Sequence, residues 1–194
     1  MNISQEEAQD SLDQIQTATA RTRKTIAASY DSGLLIMWGL IWSIAFVLTH
    51  FFLTWVWFIW MGLCGIGSVV TLWVGWRQLS LANPVKIPVT ERIGLRIFSF
   101  WSMLFVYIFI WLSILRPRHG IQINAFICTA IMFAYVVSGI WSKSYYMLWL
   151  GLTVTCITLV GFYLIPWSYY CLWMAAMGGG AMAGTGFYIR FRWR

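Results

Sequence analysis

Six long apolar runs dominate this chain, and they leave few folds open to it. They lie at about 33–51, 55–76, 89–115, 123–141, 145–165 and 168–189. Each is close to the ~20 residues a helix needs to cross a ~30 Å hydrocarbon core. Not one Asp or Glu falls within them, apart from Glu91 at the polar start of the third. The apolarity is continuous, whereas barrel strands alternate over shorter stretches. The spacing therefore predicts an all-α, polytopic transmembrane helical bundle of about six spans, which would be three helical hairpins if the internal repeat described below is real. Composition agrees: 60% of the 194 residues are hydrophobic and 10% charged, against about 25% charged in soluble domains. Fourteen tryptophans suit a chain with two membrane–water interfaces, where Trp and Tyr collect. The third run is the longest, so it is expected to tilt or to begin as an interfacial helix.

The formal charge is +7, but the basic residues sit between the runs and form no nucleic-acid-binding face. They sort by side. With the N-terminus placed in the cytoplasm, Arg21, Arg23, Lys24, Arg77, Lys86, Arg92, Arg96, Lys143, Arg190, Arg192 and Arg194 all fall on the inner side. Only Arg116 and Arg118 fall outside. Eleven of 13 basic residues on one side predict both termini in the cytoplasm.

Two regions follow. Residues 1–32 are expected to form a cytoplasmic N-terminal helix, and 33–194 the transmembrane helical bundle with a short cytoplasmic C-terminus. The first residues are polar and start acidic, unlike the basic start and apolar core of a signal peptide. Over 4–29, Ser4 and Glu7 have capping-box spacing, with acids early and bases late, as a helix dipole favours. Leu12, Ile15 and Ile26 lie on a weak apolar stripe, which makes them candidates for docking a partner; a surface helix is the plainer reading. The connection over 77–88 is broken by Asn83-Pro84 and Ile87-Pro88, and Pro88 is placed to open the third helix.

A shift of 113 residues lays Trp60-Met61 on Trp173-Met174, Gly65 on Gly178, Gly67 on Gly180 and Arg77 on Arg190. A parallel hairpin repeat or chance would each produce this. Glycines mark candidate packing faces, since small residues let helix backbones approach in lipid. Gly65 and Gly67 are the candidates in the second run, Gly180 and Gly184 in the sixth. The last two share a face at 3.6 residues per turn, with Gly178 pointing elsewhere. Leucine at 180 or 184 is therefore expected to overpack a neighbour, and at 178 to do so far less.

Chemistry is sparse. Spans without carboxylates argue against a carboxylate-driven pump, though a channel remains open. Hydroxyls at Ser99, Ser102, Ser113, Thr129, Ser138, Thr153, Thr155 and Thr158 are expected to bond to their own helices or between helices. Cys64, Cys128, Cys156 and Cys171 form no CxxC pair and read as small apolar residues. His50 and His119 both fall at the outer face, with no acid there to build a triad and too shallow for haem between helices, so no metal, cofactor or catalytic residue is assigned. Arg116-Pro117-Arg118-His119 is a candidate contact for a lipid phosphate or other anion. Gly62–Gly67 lies in a span and lacks the strand-to-helix setting of a dinucleotide loop.

Trp38-Gly39-Leu40-Ile41-Trp42 near the start of the first run and Gly186-Phe187-Tyr188-Ile189-Arg190 at the close of the last resemble small uncharacterised bacterial inner-membrane proteins. That resemblance implies a bacterial inner-membrane location and carries no activity. The expected function is non-enzymatic: a docking module, or an accessory subunit of a membrane complex, with membrane lipids around it and a cytoplasmic or membrane-complex partner on residues 4–29. A small-solute or ion transporter or channel is the alternative, ahead of an enzyme acting on lipids.

Overall fold

A computed structural model of the protein describes residues 32–81, 88–142 and 144–192. The N-terminal docking candidates Leu12, Ile15 and Ile26 lie outside them. The described residues form an all-α bundle and contain no strand. Helix α1 (Ser32–Phe51) meets α2 (Val56–Leu81) through a tight turn that includes a single 3-10 turn at Leu53–Trp55. There Phe52 N–H donates to Leu48 O at 2.8 Å and Trp55 N–H to Phe52 O at 3.0 Å, so a sharp reversal leaves few main-chain groups unpaired. Helix α3 (Pro88–Leu115) opens on proline at its first turn, where the missing N–H costs nothing. Its apolar stretch is Phe98–Leu115; the preceding residues are the polar start expected of the long third run.

Helices α4 (Gly120–Trp141) and α5 (Tyr145–Leu164) follow. A last helical rod covers 170–192 in three pieces. They are α6 (Tyr170–Trp173), a π-helical segment (Met174–Gly179) and α7 (Gly180–Arg192). Five helices, α1 to α5, contain stretches long and apolar enough to cross a membrane by length and composition. The rod makes a sixth of similar length.

The helices are not equally enclosed. The core comes from α1, α4, α5 and the rod: Phe46, Met132, Val154, Thr158, Tyr170, Met174 and Met182 are all buried. Helix α2 flanks this core on the side of α1, and α3 flanks it on the side of α4. Their exposed faces carry Trp57, Phe58, Met61, Phe105 and Phe109. In water such faces would aggregate; against acyl chains they are ordinary surface. Exposed aromatic residues gather at both ends, Trp55, Trp57, Trp167 and Tyr169 at one and Trp73, Trp76, Trp141 and Tyr145 at the other, as interfacial belts do.

Neighbouring helices run antiparallel. Along α1 and the rod, Ser32 and Ile36 lie beside Gly186, Gly39 beside Ala183 and Gly179, and Ser43 beside Ala175. The turn at 52–55 and the connections at 116–119 and 165–169 therefore share one end of the bundle. Arg77, Arg190 and Arg192 lie at the other.

Candidate functional site

Chemistry within the bundle is mostly the chemistry of helix contact, built on missing side chains. At the crossing of α1 with the rod, a Cβ on Gly39 would fall on the backbone of Ala183 and Gly179. One on Gly179 would meet Ser43 Oγ and come within 2.8 Å of Gly39 O, and one on Gly186 would lie 2.8 Å from Ser32 O. Gly179, Ala183 and Gly186 stand at i, i+4 and i+7, a single helical face. The crossing of α4 with α5 repeats the device: a Cβ on Gly139 would lie 2.6 Å from Leu148 N, and one on Gly151 2.8 Å from Met132 O. These are backbone-to-backbone contacts, which neighbouring side chains cannot relieve by rotating.

This corrects the packing faces expected from sequence. Within one chain, a Cβ at Gly65, Gly180 or Gly184 would meet nothing within 4 Å. Gly178 faces only Met174 of its own rod. Only Gly67 of the four candidates lies against a neighbour, where a Cβ would come within 2.8 Å of Ile41 Cδ1 and 2.9 Å of Trp38. One residue turns an α-helix by about 100°, so Gly180 and Gly184 lie well round from the face at 179, 183 and 186. The π-helical segment ends at Gly179 and the positions after it keep α-helical spacing, so the spacing is right and what it does not give is which face meets a neighbour. The spacing Gly179-x3-Ala183-x2-Gly186 was nonetheless present in the sequence and fits a helix face better than Gly180-x3-Gly184 alone.

Hydrogen bonds join the same elements. Ser43 Oγ donates to Ala175 O at 2.9 Å, inside the π-helical segment. Trp38 Nε1 donates to Thr71 Oγ1 at 3.1 Å and Trp60 Nε1 to Thr49 Oγ1 at 3.1 Å, both tying α2 to α1. Trp173 Nε1 donates to Ile157 O at 2.9 Å, tying the rod to α5. Trp60 and Trp173, superposed by the 113-residue shift, thus make the same kind of link to the preceding helix of their hairpins. The glycines superposed by that shift do not share surroundings. Tyr170 OH donates to Asn124 Oδ1 at 3.1 Å, and Cys128 Sγ lies 3.5 Å from the same oxygen. Nothing in the sequence distinguishes Asn124 and Tyr170 from other interfacial polar residues. Thr129, Thr155, Thr158 and Ser113 each return a hydrogen bond to their own helix, as hydroxyls in spans often do. All four cysteines are free thiols; Cys128 is buried, whereas Cys156 is exposed.

The second candidate region is the connection between α3 and α4. Arg116 and Arg118 are exposed. His119 lies against Trp167, with ring centroids 5.0 Å apart, which ties this connection to the one preceding the rod. His50 lies on Phe51 at 5.0 Å. Arg116 has φ 42°, the left-handed region that closes many helices and favours glycine. For an L-residue it costs roughly 1–2 kcal/mol. Arg116 N–H donates to Leu112 O at 3.1 Å, completing the end of α3. A guanidinium thus stands where glycine would be unstrained. At the other end, Arg77 lies over Trp73 at 5.4 Å and Arg192 over Tyr188 at 5.6 Å, each charge beside an interfacial ring. Among the described residues, no three His, Cys, Asp or Glu side chains converge as a metal site would require.

No protein-family model matches the chain, no curated protein matches it, and no solved structure matches its fold.

Proposed function

We propose that this is a non-enzymatic, multi-pass protein of the bacterial inner membrane, with both termini in the cytoplasm. In this reading it serves as a docking module or accessory subunit of a membrane complex, and residues 4–29 are its partner-binding segment. The observation that carries the reading is direct helix packing: helix backbones meet at Gly39, Gly179, Gly139 and Gly151, and the hydroxyls of Thr129, Thr155 and Thr158 bond to their own helices. Such a bundle is suited to hold a segment at the membrane surface. The orientation rests on the excess of basic residues at one end, and the inner-membrane location on the resemblance of the two terminal motifs.

Affinity purification in mild detergent, followed by mass spectrometry, tests the function. A stoichiometric protein partner should co-purify with the full chain and be lost when residues 2–29 are deleted, while the truncated bundle still inserts and accumulates. A truncated protein that retains its partner removes the docking role of the segment. Reporter fusions after Arg194 and within 116–122 should read cytoplasmic and external; the same side for both would overturn the orientation.

One observation favours the alternative, a small-solute or ion pathway. The π-helical segment at Met174–Gly179 is a kind of helix irregularity frequent at functional sites. Flux in proteoliposomes that vanishes with Ala175→Leu would select that reading.

A further inference from the structure

Helix α3 packs on α4 far more sparsely than α5 does, and the two leave a groove between them of about 390 Å³ that opens to the surface of the bundle. Its walls are nearly all apolar: Leu104, Ile108, Trp111 and Leu115 from α3, with Phe126 and Ala130 from α4. Ile108 is buried, and Ala130 is the smallest side chain of the lining. From Leu104 to Leu115 the groove runs ~16 Å along the helix at 1.5 Å per residue, about half of a ~30 Å hydrocarbon core. It therefore has the depth of one leaflet. Its end is chemically marked. Leu115 is followed directly by Arg116, and Arg118 lies two residues on, both exposed. The acidic residues of the chain are Glu6, Glu7, Asp10, Asp13, Asp31 and Glu91, so the connection itself carries two guanidiniums and no carboxylate side chain. Arg116 also holds its charge at a strained left-handed position.

We propose that this groove is a lipid-binding site, which takes one acyl chain of an anionic glycerophospholipid and holds its phosphate on Arg116 and Arg118. An apolar trough one leaflet deep matches an acyl chain. Two exposed arginines, two residues apart at the end of the groove, match a phosphate, to which arginine donates in fork geometry. His119, held against Trp167, fixes the connection rather than competing for the ligand. The site is separate from the segment proposed to dock a protein partner.

The test is native mass spectrometry of the full chain in mild detergent, with phosphatidylglycerol or phosphatidylcholine of the same acyl chains added. One phosphatidylglycerol per chain should be retained above the statistical ladder, and phosphatidylcholine less. Arg116→Gly combined with Arg118→Gln should weaken retention about tenfold, the scale of losing hydrogen bonds to a charged group. The melting temperature should not fall, because glycine relieves the left-handed strain. Ala130→Phe, which fills the groove and leaves both arginines, should also release the lipid. If that variant does not fold, dihexanoyl phosphatidylglycerol replaces it as the probe and should be retained less than the long-chain lipid. Retention unchanged by the arginine double variant overturns the headgroup assignment. Displacement by equimolar inorganic phosphate, or equal retention of short and long chains, overturns the acyl-chain assignment.

Discussion

Helices α1 and α2 form one hairpin and are almost equally apolar, with mean hydropathy 2.0 and 1.8, yet they belong to different parts of the molecule. Helix α1 is pressed between α2 and the rod and buries Leu35, Trp42, Ala45 and Phe46. Helix α2 offers most of its surface outward. The same contrast separates α4 from α3, both at mean hydropathy 2.0. In water, enclosure and apolarity go together because burial is driven by removing apolar surface from solvent. In lipid that drive is missing between helices, and close packing and polar links decide which helix is enclosed. Glycine content alone does not decide it either. Gly62, Gly65 and Gly75 of α2 all face open space, whereas Gly39 of α1 lies on the rod's backbone. What matters is whether the bare position meets the backbone of another helix, as Gly39, Gly139, Gly151 and Gly179 do.

The comparison breaks most visibly at the crossing of α1 with the rod. Gly179→Leu or Gly39→Leu should destabilise the bundle by about 3 kcal/mol, the upper end of overpacking, because backbone atoms cannot step aside. Gly180→Leu and Gly184→Leu should stay within about 0.5 kcal/mol of the parent, as surface changes do. Unfolding titrations in mixed micelles measure both. Comparable losses at 179 and 180 in purified monomer would mean that the crossing is drawn in the wrong register; a loss at 180 seen only in a dimer would make that face a contact between copies.

A smaller effect is expected where only side chains stand in the way. Gly67→Leu pushes on Ile41 and Trp38, which can rotate, so a loss of about 1 kcal/mol is expected, against none for Gly65→Leu. A loss at Gly67 as large as that at Gly179 would show that α2 belongs to the core after all.

The polar links should matter less again. Tyr170→Phe removes the hydrogen bond to Asn124, and Ser43→Ala removes the donor to Ala175 O. Each should cost roughly 0.6–1 kcal/mol, the scale of interhelical hydrogen bonds in bundles. Thr155→Val, whose hydroxyl returns to Gly151 O in its own helix, should cost less. If Thr155→Val proves the most damaging of the three, interhelical bonding does not set the order.

These cases show what could be read in advance. The spans were legible because hydrocarbon demands a long uninterrupted apolar run, and their ends agree with the structure to within a few residues. Pro88 opens α3 as its missing N–H allows. The partners of each face were not legible, because residues facing lipid and residues facing a helix are drawn from one apolar set. Gly180 and Gly184 have the right spacing but no neighbour in the chain. The π-helical segment leaves no mark in a run of Met, Ala and Gly that any helix accepts. The anion-binding candidates Arg116, Arg118 and His119 all stand exposed, and His119 also lies against Trp167, a partner 48 positions along the chain that no local pattern announces.

The hydrogen bond from Ser43 to Ala175 also has a meaning in time. Its ends are 132 residues apart, and they join the first described helix to be synthesised to the last. At ~5–20 residues per second, the usual pace of synthesis, α1 waits roughly 7–26 s before the rod exists. During that interval α2 can cover one side of α1, but the side bearing Gly39 and Ser43 has no partner. A nascent chain halted before residue 174 would hold five spans and an uncovered seam, open to the translocation machinery or to another half-made copy. The seam along α1 closes only once the rod over 170–192 has been made.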